Sequence, residues 1–332
     1  MSLYPSTSLA GESPFRASGL EAIARAVLDS GCTFLGAGPA ASARQLLALV
    51  EAGWEGTEGQ VVATRESRSA FSLASGAALG GDLSMVMINS VGFRLCAENL
   101  DLALRHELRM VIVDVQDEVQ GDVQFVRWAS IGGYPIVVLT PDSAQASYDL
   151  TRQAFQIADR FCMPVVILVD RDTLSTQGFI RCRDPRPLLF ALSPVAQPDR
   201  ESPYSRHVAT KLDPYREGLE DAQLDSPEQR SADTLVIAFG ATSDTAREAV
   251  AEARTAGKAV SLLVIRSLWP APKLAIRQAV SHVQRVLVVE LNFGQYRREI
   301  ERLLGPHGPE VVGIHRMDGE PVEGERIVAA CL

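Results

Sequence analysis

The sequence is short of almost everything that would mark a function at sight. Its five cysteines, Cys32, Cys96, Cys162, Cys182 and Cys331, stand far apart, with no C-x-x-C. That spacing assembles neither a zinc ribbon nor an iron–sulfur cluster. An odd, scattered set fits a reducing cytoplasm and not a disulfide framework. The five histidines, His106, His207, His282, His307 and His315, show no metal-ligand spacing. His207 lies in a long polar stretch and reads more readily as a surface residue than as a site residue. There is no G-x-S-x-G, no Walker A and no H-E-x-x-H. No Lys/Arg cluster interrupts a formal net charge of −9, which argues against a phosphate-backbone binder. No apolar run approaches the roughly 18 residues of a membrane span. Residues 1–14 hold Ser and Pro but no apolar core of a secretory signal. The expectation is a cytoplasmic protein with neither nucleic acid nor membrane as partner.

What is present is globular. The chain has 332 residues, 46% of them hydrophobic and 22% charged. That is enough to bury one large core or two ordinary ones. The runs LSMVMIN (83–89), MVIVDV (110–115), PIVVLT (135–140) and PVVILV (164–169) are continuous, not alternating. Continuous Val/Ile runs predict strands buried on both faces, hence a parallel sheet covered by helices. CTFL (32–35) and QVVAT (60–64) add two shorter strands, and helices are predicted over 19–30, 42–52, 67–80, 93–105 and 143–161. From residue 193 to 231 the pattern collapses into a polar, proline-dotted stretch, read as a linker or long loop. A second α/β unit follows, with strands at 234–240, 259–268, 285–292 and 310–317 and helices at 241–257, 274–280 and 294–305. The expected domains are therefore 15–192 and 232–332, joined by 193–231.

Several turns could carry chemistry, and each has an ordinary reading. Gly36-Ala37-Gly38-Pro39-Ala40-Ala41 matches G-x-G-x-x-A between a strand and a helix. That pattern suits a dinucleotide loop. Against it, a full helix precedes the strand and Pro39 has no N–H for a phosphate, so a plain strand-to-helix turn is preferred. Glu66 sits where a parallel strand ends, the place where open α/β sheets bind ligands. It is equally a helix-start carboxylate, with Glu66 or Ser67 as the cap. Asn89, Ser90 and Gly92 form a small polar turn able to hold a ligand, or simply a turn. Glu98 lies between Leu95 and Leu102 and is either partly buried or solvated.

The order of these segments resembles the α subunit of thiamine diphosphate-dependent 2-oxoacid:ferredoxin oxidoreductases. The likeness is carried by GLEAIARAVLDSGCTFLGAGPAAS, VVATRESRSAFSLASGAALGG, INSVGFRLCAENLDLA and, most specifically, the stretch from QGDVQFVRWAS to PVVILVD. In the last third, ELNFGQ is similar to the family's E-x-N-x-x-G-Q, one residue shorter, with Glu290, Asn292, Gly294 and Gln295. The resemblance implies a pyrimidine-binding domain of thiamine type followed by a transketolase-C-like domain. It implies half an active site for oxidative decarboxylation of a small 2-oxoacid. A β subunit would hold the diphosphate through Mg²⁺ and carry the iron–sulfur chemistry. A ferredoxin-like acceptor takes the electrons, and coenzyme A is a candidate co-substrate. Glu66 is the expected carboxylate beside the aminopyrimidine, with Pro39, Ser67, Asn89, Ser90 and Gly92 around the cofactor and Glu98 in support. The sequence departs from the family at four places. An ungapped reading puts Ser67 where the family has its Glu, with Glu66 one residue early. Ala41 replaces a Thr, the TSGPG-type turn is reduced to NSVG, and the R-G-G-P-S-T-G loop after Gln116 is missing. A decarboxylase or carboligase subunit, and a non-catalytic structural α-like subunit, therefore stand beside the oxidoreductase reading.

Overall fold

A computed structural model describes residues 13–54, 59–130, 134–183, 212–225 and 232–332. A short antiparallel ribbon opens it, β1 (Phe15–Ser18) on β8 (Gln177–Ile180). Helix α1 (Gly19–Asp29) begins with a capping box: the Ser18 hydroxyl accepts from the Glu21 N–H, and the Glu21 side chain accepts from the Ser18 N–H. Both orphan donors are thereby satisfied. The helix packs against α7 (Ala144–Phe161), where the Tyr148 hydroxyl donates to Asp29 at 2.8 Å.

The first sheet has seven strands in the order β12-β6-β7-β5-β4-β2-β3. Six are parallel: β2 (Phe34–Ala37), β3 (Gln60–Ala63), β4 (Ser84–Asn89), β5 (Met110–Gln116), β6 (Val137–Leu139) and β7 (Val165–Asp170). β5 and β7 are buried along their whole length, as continuous apolar runs require. Each fully buried Val, Ile or Met there contributes roughly 1.5–3 kcal/mol. Around the sheet lie α2 (Ala41–Gly53), α3 (Ser67–Leu79), α4 (Ser90–Arg94), α5 (Ala97–Arg105), α6 (Val123–Trp128) and α8 (Arg171–Ser175). The helix expected over 93–105 is two helices, broken at Leu95–Cys96, and α6 was not expected at all.

The second sheet runs β14-β13-β10-β11-β9, with β10 (Thr234–Phe239), β11 (Val260–Ile265), β13 (Arg285–Glu290) and β14 (Glu310–His315) parallel. Its helices are α10 (Thr242–Thr255), α11 (Lys273–Ala279), α12 (Gln295–Leu304) and α13 (Gly324–Cys331). Two findings differ from the sequence reading. The strand expected over 259–268 divides. β11 stays in the second sheet, while β12 (Ser267–Trp269) leaves it and pairs antiparallel with β6 of the first. Of the expected linker, residues 193–211 and 226–231, with His207, lie outside the described residues. Residues 212–225 hold a helical turn, α9 (Arg216–Leu219), and β9 (Ala222–Leu224), which closes the edge of the second sheet.

The two sheets share one apolar core, in which Val126, Phe239, Trp269 and Tyr296 are all buried. Polar contacts lock the joint. Asp142, wholly buried, accepts from Arg266 at 3.3 Å and from Arg247. The Trp269 indole N–H donates to the Val123 carbonyl at 2.9 Å. The Gln120 carboxamide reaches into the second sheet: its Nε2 donates to the Phe239 carbonyl at 3.1 Å and to Asp170 Oδ2 at 3.0 Å, and its Oε1 accepts from the Leu291 N–H at 3.0 Å. Asp170 Oδ2 also accepts from the Ala241 N–H at 2.7 Å. Gly240 is required beside it. Its φ is +56°, and a Cβ there would stand 2.1 Å from Asp170 Oδ2.

Burial pushes the Asp170 carboxyl up to about 6, against the pull of the Ala241 N–H and Gln120. A carboxyl raised in the folded state binds a proton that the unfolded chain has released, so stability falls as pH rises from about 4 to about 6. Asp170→Asn keeps an oxygen acceptor without the charge, and is expected to flatten that slope in denaturant titrations while holding stability at pH 7. Asp170→Ala leaves two donors unpaired and should cost about 1–3 kcal/mol at every pH. A wild-type slope retained in the Asn variant would assign the titration elsewhere.

Candidate functional site

In the first sheet the chain leaves β2 for β3 on one side, and β3 is followed by β4 on the other. The crevice at the carboxyl ends of β2 and β4 is thus a topological switch point, where open α/β sheets take ligands. Three segments wall it. After β2 comes Gly38-Pro39-Ala40, with the Gly38 N–H on the Met87 carbonyl at 3.0 Å and Pro39 exposed at the tip. After β4 comes Asn89–Gly92, where Asn89 caps α4 by accepting from the Gly92 N–H at 3.1 Å. Asn89 Nδ2 donates to Asp117 at 3.2 Å, and the Ser90 hydroxyl to the Val115 carbonyl at 3.4 Å. The third wall is the start of α3, which crosses from β3 towards β4.

The residues at that start face opposite ways. Glu66 is the N-cap, with φ −134° and ψ 134°; its side chain is exposed and makes no capping hydrogen bond. Ser67 is buried. Its hydroxyl lies 3.2 Å from where a Gly38 Cβ would stand and 2.0 Å from where a Gly92 Cβ would stand. The serine oxygen therefore occupies the narrow floor between the two turns, and glycine is needed on either side. Thr64 fixes this arrangement, its hydroxyl donating to the Glu66 carbonyl at 2.7 Å and its N–H to the Ala37 carbonyl at 2.9 Å.

Of the residues singled out from sequence, Pro39, Ser67, Asn89, Ser90 and Gly92 come together at this crevice, and Glu66 stands on its rim. Glu98 does not join them. It is exposed on the first turn of α5, where the helix dipole favours a carboxylate. Two bonds hold α3 to the segment beyond α4: Arg68 to the Leu95 carbonyl at 3.0 Å and Asn99 to Ser72 at 3.0 Å. No group of three or more metal-ligating side chains occurs among the described residues.

ELNFGQ has a different place. Glu290, fully buried, accepts from the Tyr296 and Arg297 N–H groups at 2.9 and 3.0 Å and so caps α12. Asn292 donates to the Gln120 carbonyl at 3.1 Å, and Gln295 Nε2 to the Gly121 carbonyl at 2.9 Å. The motif grips the loop after β5. Gln120, which that grip holds, and Asp170, which Gln120 meets, were missed from sequence, where Asp170 at the end of a buried strand was the signal.

The family model described as pyruvate flavodoxin/ferredoxin oxidoreductase, thiamine diP-binding, matches residues 39–255. The chain belongs to this family. Core domain II of pyruvate:ferredoxin oxidoreductase, a second model, matches residues 232–327. Among curated relatives of this oxidoreductase family, the chain is similar to 2-oxoglutarate synthase subunit KorA of Methanothermobacter marburgensis, 27% identical over 90% of this chain and 95% of that one. It is also similar to ketoisovalerate oxidoreductase subunit VorB of Methanothermobacter thermautotrophicus, 30% identical over 79% of this chain and 81% of that one. Among solved structures, 2-oxoglutarate:ferredoxin oxidoreductase from Magnetococcus marinus superposes with a TM-score of 0.80 at 20% identity, covering 96% of this chain and 65% of that one. A split-gene transketolase superposes at 0.64 and 14% identity, covering 95% and 97%. At those identities the two structures establish the fold.

Gly92→Ala is expected to lower stability by about 1–3 kcal/mol, the range for overpacking a filled site. Ser67→Gly in the same chain should return most of it, since removing the serine side chain empties the contested space. Additive losses in urea denaturation of the two singles and the double would contradict the packing described.

Proposed function

We propose that the chain is the α-type subunit of a thiamine diphosphate-dependent 2-oxoacid:acceptor oxidoreductase, and that the aminopyrimidine half of the cofactor enters the β2–β4 crevice. The observation that carries the reading is the convergence of Gly38-Pro39, Ser67 and Asn89–Gly92 on a switch point in a chain of this family. Asn89 and Ser90 offer polar atoms at the crevice, and Gly38 and Gly92 leave room for Ser67 on its floor. The carboxylate is the misfit: Glu66 is at the rim and Ser67 is inside. When bound, thiamine diphosphate supplies the carbanion-stabilising chemistry, and this chain's part is to hold and orient the ring.

The rest of the site would come from a partner. A β-type chain carrying the diphosphate site, Mg²⁺ and an iron–sulfur cluster fits the face beside the crevice, where Leu73, Val91 and Leu95 are 46%, 63% and 59% exposed. Exposed apolar side chains grouped on neighbouring helices favour a protein partner. The names of the relatives point to 2-oxoacids, one a dicarboxylate and one branched and apolar, which supports a 2-oxoacid substrate, and the family's description and the Magnetococcus marinus enzyme's name support a ferredoxin-like acceptor. The outward carboxylate favours one other reading, an α-like subunit that scaffolds an active partner.

Purification with its native partner should yield about one thiamine diphosphate per α/β pair. In that complex Glu66→Gln is expected to cut 2-oxoacid-dependent dye reduction by about tenfold or more, within the range of an acid–base contribution, without loss of bound cofactor. Unchanged turnover would remove Glu66, and a gain on Ser67→Glu would then place the missing carboxylate inside the crevice. A stable complex without cofactor would favour the scaffold.

A further inference from the structure

The crevice turn is hung from the loop that the second domain grips. Helix α4 follows Asn89 directly, and its last residue, Arg94, donates to Asp122 Oδ1 at 2.6 Å. Asp122 is wholly buried at the start of α6. It ends the Gln120-Gly121-Asp122 loop, which Leu291, Asn292 and Gln295 hold from the other sheet. That ion pair ties the end of α4 to the loop, beside the edge-to-face packing of Phe93 on Phe125 and the Asn89–Asp117 hydrogen bond.

Behind that pair lies a second carboxyl. Asp114 is in the middle of β5, wholly buried between Ile88 and Leu168 of the neighbouring strands. Neither of its oxygens, nor the second oxygen of Asp122, receives a hydrogen-bond donor from the protein among the described residues. The side chain it meets in hydrogen-bonding contact is Asp122 itself. Two carboxylates offer no donor to each other, so the contact needs one proton. Asp122 is engaged with Arg94, which leaves the proton on Asp114. Burial and the Asp122 charge hold the Asp114 carboxyl well above the ordinary range. The other charged groups that bear on it are Arg94 on α4 and Asp117 beyond β5. On β7, Asp170 lies opposite Gln116 and is engaged with Ala241 and Gln120. On α6, Arg127 is turned to Glu299.

We propose that Asp114, Asp122 and Arg94 form a proton-dependent joint that positions the Asn89–Gly92 turn from the second domain. Asp114 and Asp122 are positioning residues, since they act on the crevice through Arg94 and α4. The joint stands on the contacts above. Its consequence for the cofactor rests on the crevice being the pyrimidine site.

The full chain tests the joint without cofactor. With one extra proton in the folded state, the unfolding equilibrium constant should rise by about tenfold per pH unit as pH increases. Asp170 adds to this only up to about pH 6. Asp170 contributes alike in both proteins, so Asp114→Asn, which keeps a donor towards Asp122, is expected to remove the Asp114 part of the slope and leave the rest. Arg94→Gln, at a side chain 46% exposed, should leave the fold intact and speed amide exchange across 90–96 by about tenfold or more, with β10 and β13 unchanged. A pH slope unaltered by Asp114→Asn, or exchange over 90–96 unaltered by Arg94→Gln, overturns the joint. In the complex, Arg94→Gln should weaken thiamine diphosphate binding by about tenfold. Faster exchange with unchanged cofactor affinity would keep the joint and reject the crevice as the pyrimidine site.

Discussion

The insertion of the Gln120 carboxamide between the two sheets is the contact on which the arrangement depends. It is buried, and every polar atom of it is used: the amide nitrogen serves Phe239 and Asp170, and the oxygen serves the Leu291 N–H. A buried amide so fully satisfied is specific, because each partner lost leaves another group unpaired in a low-dielectric setting. The place it fills is also telling. In the second sheet the switch point lies between β10 and β13, at Gly240-Ala241 and Leu291-Asn292. Gln120 and Asp170 of the first sheet occupy it. The second domain thus uses part of its own switch point to hold the first, while Ser67 lies on the floor of the crevice between β2 and β4.

Much of this organisation is legible in the sequence, for a definite reason. Strands buried on both faces must be continuously apolar, so β4, β5 and β7 declare themselves by composition. The exchange of β12 is not legible. Ser267-Leu268-Trp269 follows β11 with Arg266 alone between them, and nothing local says that it pairs with β6 of another sheet. β9 and α6 are hidden for a similar reason. Short elements with mixed polarity are made by what they dock on, and their contacts are distant in sequence.

At the crevice the sequence locates the turns but not their facing. Glu66 follows from the rule that ligands gather at strand ends and Asn89–Gly92 from its small polar residues, while Pro39 and Ser67 follow from the likeness to the family. Which of Glu66 and Ser67 looks inward depends on where α3 starts, and one residue turns a helical side chain by about 100°. The start is set by Thr64, whose two bonds to β2 and to the Glu66 backbone are tertiary facts. Likewise, QGD after β5 reads as the remnant of a missing loop until Asn292 and Gln295 are seen closing on it.

Of the departures expected from the sequence, Ser67, Ala41 and the NSVG turn lie at the carboxyl ends of β2–β4, while the loop after Gln116 is the one that Asn292 and Gln295 hold. The E-x-N…G-Q pattern, which is kept but for one residue, lies at the joint between domains. A scaffold and a site can change separately, because the scaffold is fixed by satisfied buried contacts and the site by a few side chains on turns. Here the constraint is sharper, since the turn at Asn89 hangs from the same loop that the joint holds. The floor of the crevice is fixed by Ser67 between Gly38 and Gly92, and the turn above it by Arg94 on Asp122, so the two are held by different contacts.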